Sequence, residues 1–294
     1  MSIKHPIISV TGSSGAGTTS VKNTFDQIFR REQVEAVFIE GDSYHRFDRA
    51  EMKQAMAAAE QEGNRTFSHF GLEANLIAEL EATFKSYSDR GQGRTRRYLH
   101  SKPAADSAGL PAGTFTPWED IRRDTDLMLY EGLHGALVSG PYNLAQYADL
   151  KIGVVPVINL EWIQKIHRDK EGRGYSVEAV TQTILRRMPD YIKYICPQFT
   201  ETDINFQRIP TVDTSNPFIA RWIPTPDESM VVIRFRDPRG VDFTHLLAMI
   251  HDSFMSRANS IVIPGSKLDL GMQLILTPRI MKLVERKRKS GLNV

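Results

Sequence analysis

The sequence predicts an α/β protein: a mainly parallel sheet, mixed at its edge, flanked by helices and forming a single domain across residues 1–294. Strand-like and helix-like segments alternate along the chain, the arrangement that builds a parallel sheet with crossover helices. One strand, Leu150–Val157, is nearly all apolar, as a strand buried on both faces should be. The reactive polar residues cluster directly after the strands, where ligands gather in such sheets.

The first strand is Pro6–Thr11, apolar and rich in β-branched residues. A glycine-rich turn leads into a helix over 18–32, in which Val21, Thr24, Phe25 and Ile28 recur at helical spacing. A second strand, Ala36–Glu40, runs into the polar segment Gly41–Arg46. Helices are expected near 48–62 and 72–87, and a strand at Leu127–Tyr130 ends in Glu131-Gly132. Beyond Leu150–Val157, helices follow near 159–170 and 176–194, then a strand at Met230–Phe235 and helices near 242–254 and 268–287. The stretch near 89–118 reads as a long loop, with Gly91, Gly93, Gly109, Gly113, Pro103, Pro111 and Pro117 and the basic knot Arg94-Thr95-Arg96-Arg97. Loops of that length in compact domains are usually functional or disordered.

Gly12-Ser13-Ser14-Gly15-Ala16-Gly17-Thr18-Thr19 follows the first strand directly. Its two framing glycines, at 12 and 17, and the hydroxyl at Thr19 have the spacing of a P-loop, whose backbone N–H groups cradle nucleotide phosphates. The dipole of the helix that follows adds positive potential, and Thr19 is placed to reach a Mg²⁺. Thr18 occupies the position where such loops carry a lysine, so the cation must come from another part of the chain.

Two further strand ends carry acids. Asp42 lies near the cationic side chains of His45, Arg46 and Arg49, which fits a base that receives a hydroxyl proton beside an anionic substrate. Glu131 matches the metal-holding acid of nucleotide enzymes. The segment 158–174 places Ile158, Trp162 and Ile166 in an apolar stripe and gathers Lys165, Arg168 and Asp169 on one helical face. Gly172 and Gly174 flank Arg173, so 159–175 reads as a hinged lid carrying positive charge onto phosphates. Lys165 is the first candidate for the cation absent from the loop.

Composition bounds the remaining possibilities. With 41% hydrophobic and 24% charged residues the chain is an ordinary globular sequence, and a net charge of +2 gives no broad nucleic-acid footprint. The basic run Lys282–Lys289 reads as a solvated helix end. A single cysteine, Cys196, excludes an intramolecular disulfide and reads as a small buried hydrophobe. No secretory signal is seen at the start, and no apolar run approaches the ~18 residues of a membrane span. A cytoplasmic enzyme with neither nucleic acid nor membrane as a partner is the expectation.

Taken together, GSSGAGTT at 12–19, EGDSYHRF at 40–47, YEGLHG at 130–135, VVPVINLEWIQKIHRD at 154–169 and INFQRIPTVDTSNPF at 204–218 resemble the phosphoribulokinases in their bacterial form, a P-loop kinase family. The resemblance covers most of the chain. It implies ATP-dependent phosphorylation of D-ribulose 5-phosphate at its 1-hydroxyl, with Mg²⁺, giving ribulose 1,5-bisphosphate for the Calvin cycle. It implies that Asp42 is the catalytic base and that Glu131 serves the metal–nucleotide site. His45, Arg49, Lys165, Arg168, Asp169 and Arg173 match positions that serve sugar-phosphate binding or catalysis. It further implies a homo-oligomer with NADH and AMP as effectors, and Arg31, Arg234 and Arg257 match the proposed effector-site arginines. The chloroplast form carries a cysteine in its glycine loop. Here Ala16 stands there and no second cysteine exists, which excludes that thiol switch.

Two alternatives stay open from the residues alone. One is a kinase of the same fold acting on another small sugar or a nucleoside alcohol. The other is a non-catalytic nucleotide-binding sensor. The Arg/His cluster at 45–49 favours a phosphorylated sugar, and the chain has no Asn-Lys-x-Asp guanine signature.

Overall fold

A computed structural model describes residues 5–13 and 18–291, with only the backbone described at 18–20, 156, 173 and 291. In chain order, β1 (Ile7–Thr11) leads to α1 (Thr18–Arg31), β2 (Ala36–Glu40), a 3-10 turn (Gly41–Tyr44) and α2 (Arg49–Gln61). α3 (Ile77–Arg90), β3 (Arg94–Thr95), α4 (Lys102–Ala108) and β4 (Glu119–Asp120) precede β5 (Leu127–Gly132). A small hairpin, β6 (Val138–Ser139) and β7 (Tyr142–Asn143), leads to β8 (Leu150–Pro156), α5 (Ile158–Arg173) and α6 (Val177–Asp190). The chain ends with α7 (Gln198–Glu201), β9 (Ile204–Pro210), β10 (Ser229–Phe235), α8 (Phe243–Met249), β11 (Phe254–Arg257), β12 (Ser260–Pro264) and α9 (Leu268–Gly291).

The main sheet runs β11-β12-β10-β9-β8-β1-β5-β2. Strands β2, β5, β1, β8 and β9 are parallel, whereas β10, β12 and β11 add an antiparallel edge. The mixed edge expected from the sequence is therefore present. Alternation within β1 and β5 divides the core in two. Ile8, Val10, Leu127 and Leu129 face α1, α8 and α9, packing with Phe25, Ile28, Leu246 and Ile275. Ile7, Met128 and Tyr130 face α3, against Leu80, Phe84 and Tyr87. Among the described residues no helix is long and apolar enough to cross a membrane.

Several local expectations change in the fold. The helix expected from 72 begins only at Ile77, because Asn75 is drawn into an extended bridge with His45. The helix expected over 242–254 stops at Met249: Asp252 adopts a left-handed φ of 64° and Phe254–Arg257 pairs with β12. The helix expected over 176–194 gives way after Asp190 to a π-helical turn, Tyr191–Ile195, directly beyond Pro189. Cys196 closes that turn and is exposed, not buried. The stretch 89–118 carries β3 and α4, and Arg96 fastens it to the segment after β2. The basic run 282–289 is only partly solvated, since Lys287 donates to the Thr125 carbonyl and Arg288 pairs with Asp126 at 2.7 Å.

Candidate active site

The carboxyl ends of β1, β2 and β5 converge. Gly12 donates its N–H to the Gly132 carbonyl at 3.2 Å, joining the glycine loop to the end of β5. Glu131, the preceding residue, stands in register with Val10 of β1 and Glu40 of β2. The turn carrying Asp42 approaches equally closely: a Cβ on Gly41 would meet the Cα of Gly132 at 2.8 Å, and one on Gly132 would meet that of Gly41 at 2.7 Å. Only glycine at both positions permits this contact, which brings the Asp42 and Glu131 strand ends together. Ser14, Gly15, Ala16 and Gly17 lie outside the described residues, as do the side chains of Thr18, Thr19 and Arg173.

Asp42 lies between two histidines. His45 Nε2 is 3.4 Å from Oδ1, and His100 Nε2 is 3.4 Å from Oδ2. The His45 ring stacks on His69 with centroids 4.2 Å apart. Burial lowers the pKa of His45, with the Asp42 charge partly opposing, and burial lowers that of His69 further. The backbone of this segment is held from the far side. Arg96 donates to the carbonyls of Ser43 at 2.9 Å and His45 at 2.6 Å. Its guanidinium lies 3.6 Å over the Phe115 ring and 4.8 Å over Trp118, contacts worth about 0.5–2 kcal/mol each.

Arg49 opens α2 behind a capping box. Asp48 accepts from Ala50 and Glu51 at 2.8 Å each, and Glu51 accepts from the Asp48 N–H at 2.9 Å. Such a cap stabilises a helix start by about 1 kcal/mol. The Arg49 guanidinium is exposed and donates to the His100 carbonyl at 2.9 Å. Arg46 instead donates to the carbonyls of Glu73 and Asn75 and ties two backbone segments together.

Helix α5 supplies the second half of the site. Lys165 meets Asp169 at 2.5 Å with both side chains buried, and Arg168 reaches the other Asp169 oxygen at 3.1 Å. Burial and the neighbouring Arg187 lower the Lys165 pKa to about 8, against the opposing influence of Asp169. Arg187, half-buried on α6, lies 5.2 Å over the Phe70 ring and is close enough to act electrostatically on Asp169, Glu161 and Asp42. A cleft between α5 and α6 is lined by Phe70, Glu161, Trp162, Lys165, Arg187 and Tyr191. His100, Arg96, Arg187 and Glu161 were not selected from the sequence. Two had a local signal: Arg187 stands three residues beyond Ile184 and seven beyond Val180 on the inward face of its helix, and Glu161 stands four before Lys165 on α5.

The matched effector arginines do not converge within one chain. Arg31 donates to Gln273 and Thr277 of α9. Arg234 and Arg257 both pair across Ser260 at the antiparallel edge. Ile233 and Phe235 face α9, so Arg234 points to the opposite side of the sheet from Arg31.

Among the described residues, no group of three or more His, Cys, Asp or Glu could hold a metal ion.

The model of the phosphoribulokinase / uridine kinase family matches residues 7–215. The phosphoribulokinase of Nitrobacter vulgaris is 69% identical over 287 residues, covering 98% of this chain and 99% of that one. The phosphoribulokinase of Xanthobacter flavus is 69% identical over 291 residues, covering 99% and 100%. The solved structure of phosphoribulokinase from Rhodobacter spheroides superposes with a TM-score of 0.90 at 62% identity, over 98% of this chain and all of that one. A sheet that brings a glycine loop and two acids to one edge is thus matched in sequence and structure along nearly the whole chain, which belongs to the phosphoribulokinase / uridine kinase family.

Proposed function

We propose that the protein is a cytoplasmic kinase that transfers the γ-phosphoryl group of ATP to the 1-hydroxyl of D-ribulose 5-phosphate, giving ribulose 1,5-bisphosphate and ADP. The observation that carries this reading is the placement of Asp42 between His45 and His100, beside Glu131 and the glycine loop. Full-length relatives named phosphoribulokinase support the choice of sugar phosphate.

Asp42 takes the proton of the attacking hydroxyl, and the two histidines orient its carboxylate. The new bond joins the sugar oxygen to phosphorus as the bond to ADP breaks. Lys165 and Arg168 neutralise charge on the transferred group, and phosphoryl transfer draws most of its catalysis from such positioning and neutralisation. Asp169 holds both cations in place. Arg49, His45 and Arg173 receive the sugar phosphate. Glu131 and Thr19 would hold a Mg²⁺ brought by the nucleotide, and that ion would supply Lewis-acid polarisation of the phosphates. The segment 159–175 acts as the lid, and the bond between Ser13 and Glu161 is a contact of its closed position.

The test is ADP release by the purified protein with Mg-ATP and each of a panel: ribulose 5-phosphate, ribose 5-phosphate, uridine and glycerate. Ribulose 5-phosphate should exceed the others in kcat/KM by at least ~10²-fold, as a site built to bind a charged group rejects analogues lacking it. A preference for uridine or another alcohol replaces the substrate, and ATP binding without transfer to any alcohol replaces the kinase reading.

A further inference from the structure

The glycine loop lacks a cation of its own, and the helix that carries Lys165 is bonded to that loop. The Ser13 hydroxyl donates to Glu161 Oε1 at 2.5 Å, with both side chains buried. Tyr191 of the π-helical turn is hydrogen-bonded to the same carboxylate, and the charges of Arg187 and Lys165 act on it. Glu161, Lys165 and Asp169 recur every four residues on α5, and all three are buried. At ~1.5 Å of rise per residue, Lys165 lies roughly 6 Å along the helix axis from Glu161. A carboxylate removed from water is costly unless it is hydrogen-bonded. Here its side-chain partner in the nucleotide loop lies 148 positions away in sequence, outside its own helix.

We propose that Glu161 is a positioning residue whose bond to Ser13 holds Lys165 in register with the glycine loop, replacing the covalent tether that a loop lysine would have. A rigid helix transmits the constraint: fixing its first turn fixes the height of the ammonium group one turn later. This inference rests on Lys165 being the cation at the transferred phosphoryl group.

The test is a double-mutant cycle read in kcat, in the KM of each substrate and in nucleotide-analogue binding without sugar. Glu161→Ala should lower kcat roughly tenfold in the parent but less than about twofold in a Lys165→Met background, because coupled residues lose the same contribution only once. Nucleotide-analogue affinity should change less than about threefold, as expected for a contribution realised only in the transition state. Glu161→Gln still accepts the Ser13 hydroxyl and should retain most of the turnover. Ser13→Ala should show the same dependence on Lys165, and it provides the cycle should Glu161→Ala fail to fold by thermal melting. Equal fold-losses in the two backgrounds overturn the latch while leaving the kinase reading intact. A parent enzyme that prefers another alcohol overturns the substrate assignment, and the same cycle then decides the latch on that alcohol.

Discussion

The Lys165 ammonium lies 2.5 Å from Asp169 Oδ2, one helical turn away, and both side chains are less than one-tenth exposed. The pair is enclosed by cations: Arg168 shares the carboxylate, and Arg187 adds a second positive field. Asp169 therefore serves two cations, and Lys165 gives up its proton more readily than an exposed lysine.

With the Lys165 pKa at about 8, the charged form is present below that pH and is lost as pH rises through it. The kcat/KM profile, which reports the free enzyme, should have an alkaline limb near pH 8. Lys165→Arg keeps its charge to much higher pH, so the limb should vanish at a reduced plateau. An unchanged limb in Lys165→Arg assigns it to another group.

Asp42→Asn keeps the shape of the carboxylate and its contacts with His45 and His100 but removes the base. It should lower kcat at least ~10²-fold, the low end of general-base contributions, with ATP-analogue affinity retained. Turnover near that of the parent in folded protein would remove Asp42 from the reaction.

Arg49 is exposed and is anchored through its backbone cap and the His100 carbonyl, which leaves guanidinium N–H groups for a phosphate. Arg49→Ala should raise KM for ribulose 5-phosphate about tenfold or more, the value of a charge-assisted hydrogen bond, with KM for ATP changed far less. Equal rises for both substrates would give Arg49 a structural role, through the loop that carries His100.

His134 is fully buried and hydrogen-bonded to the Phe70 carbonyl at 3.0 Å, and burial lowers its pKa from 6.5 to about 4. Because the folded value lies below the unfolded one, the stability it contributes is complete above pH 6.5 and is lost as pH falls toward about 4. The full difference is about 3 kcal/mol. Urea unfolding from pH 7 to 4.5 should show falling stability, and His134→Gln should flatten that slope. An equally steep slope in the variant would place the acid sensitivity elsewhere.

The sequence by itself determined the alternation of strands and helices, the glycine loop and the strand-end acids Asp42 and Glu131. These signals are local: apolar periodicity fixes which face is buried, and Gly41 and Gly132 mark where two backbones must touch. Tertiary structure decided what lies opposite them. The knot Arg94–Arg97 has no local feature that distinguishes its arginines, yet Arg96 alone is drawn between Phe115 and Trp118 to hold the Asp42 turn. His100 reaches Asp42 across 58 positions of chain, and Ser13 reaches Glu161 across 148. A mixed edge was legible, but the strands β11 and β12 that extend it were not, because both are short and are strands only by pairing, β12 with β10 and β11 with β12. Such contacts follow from how crossovers stack the helices on the sheet. Periodicity along the chain records which side of an element is buried, but not which distant side chain it meets there.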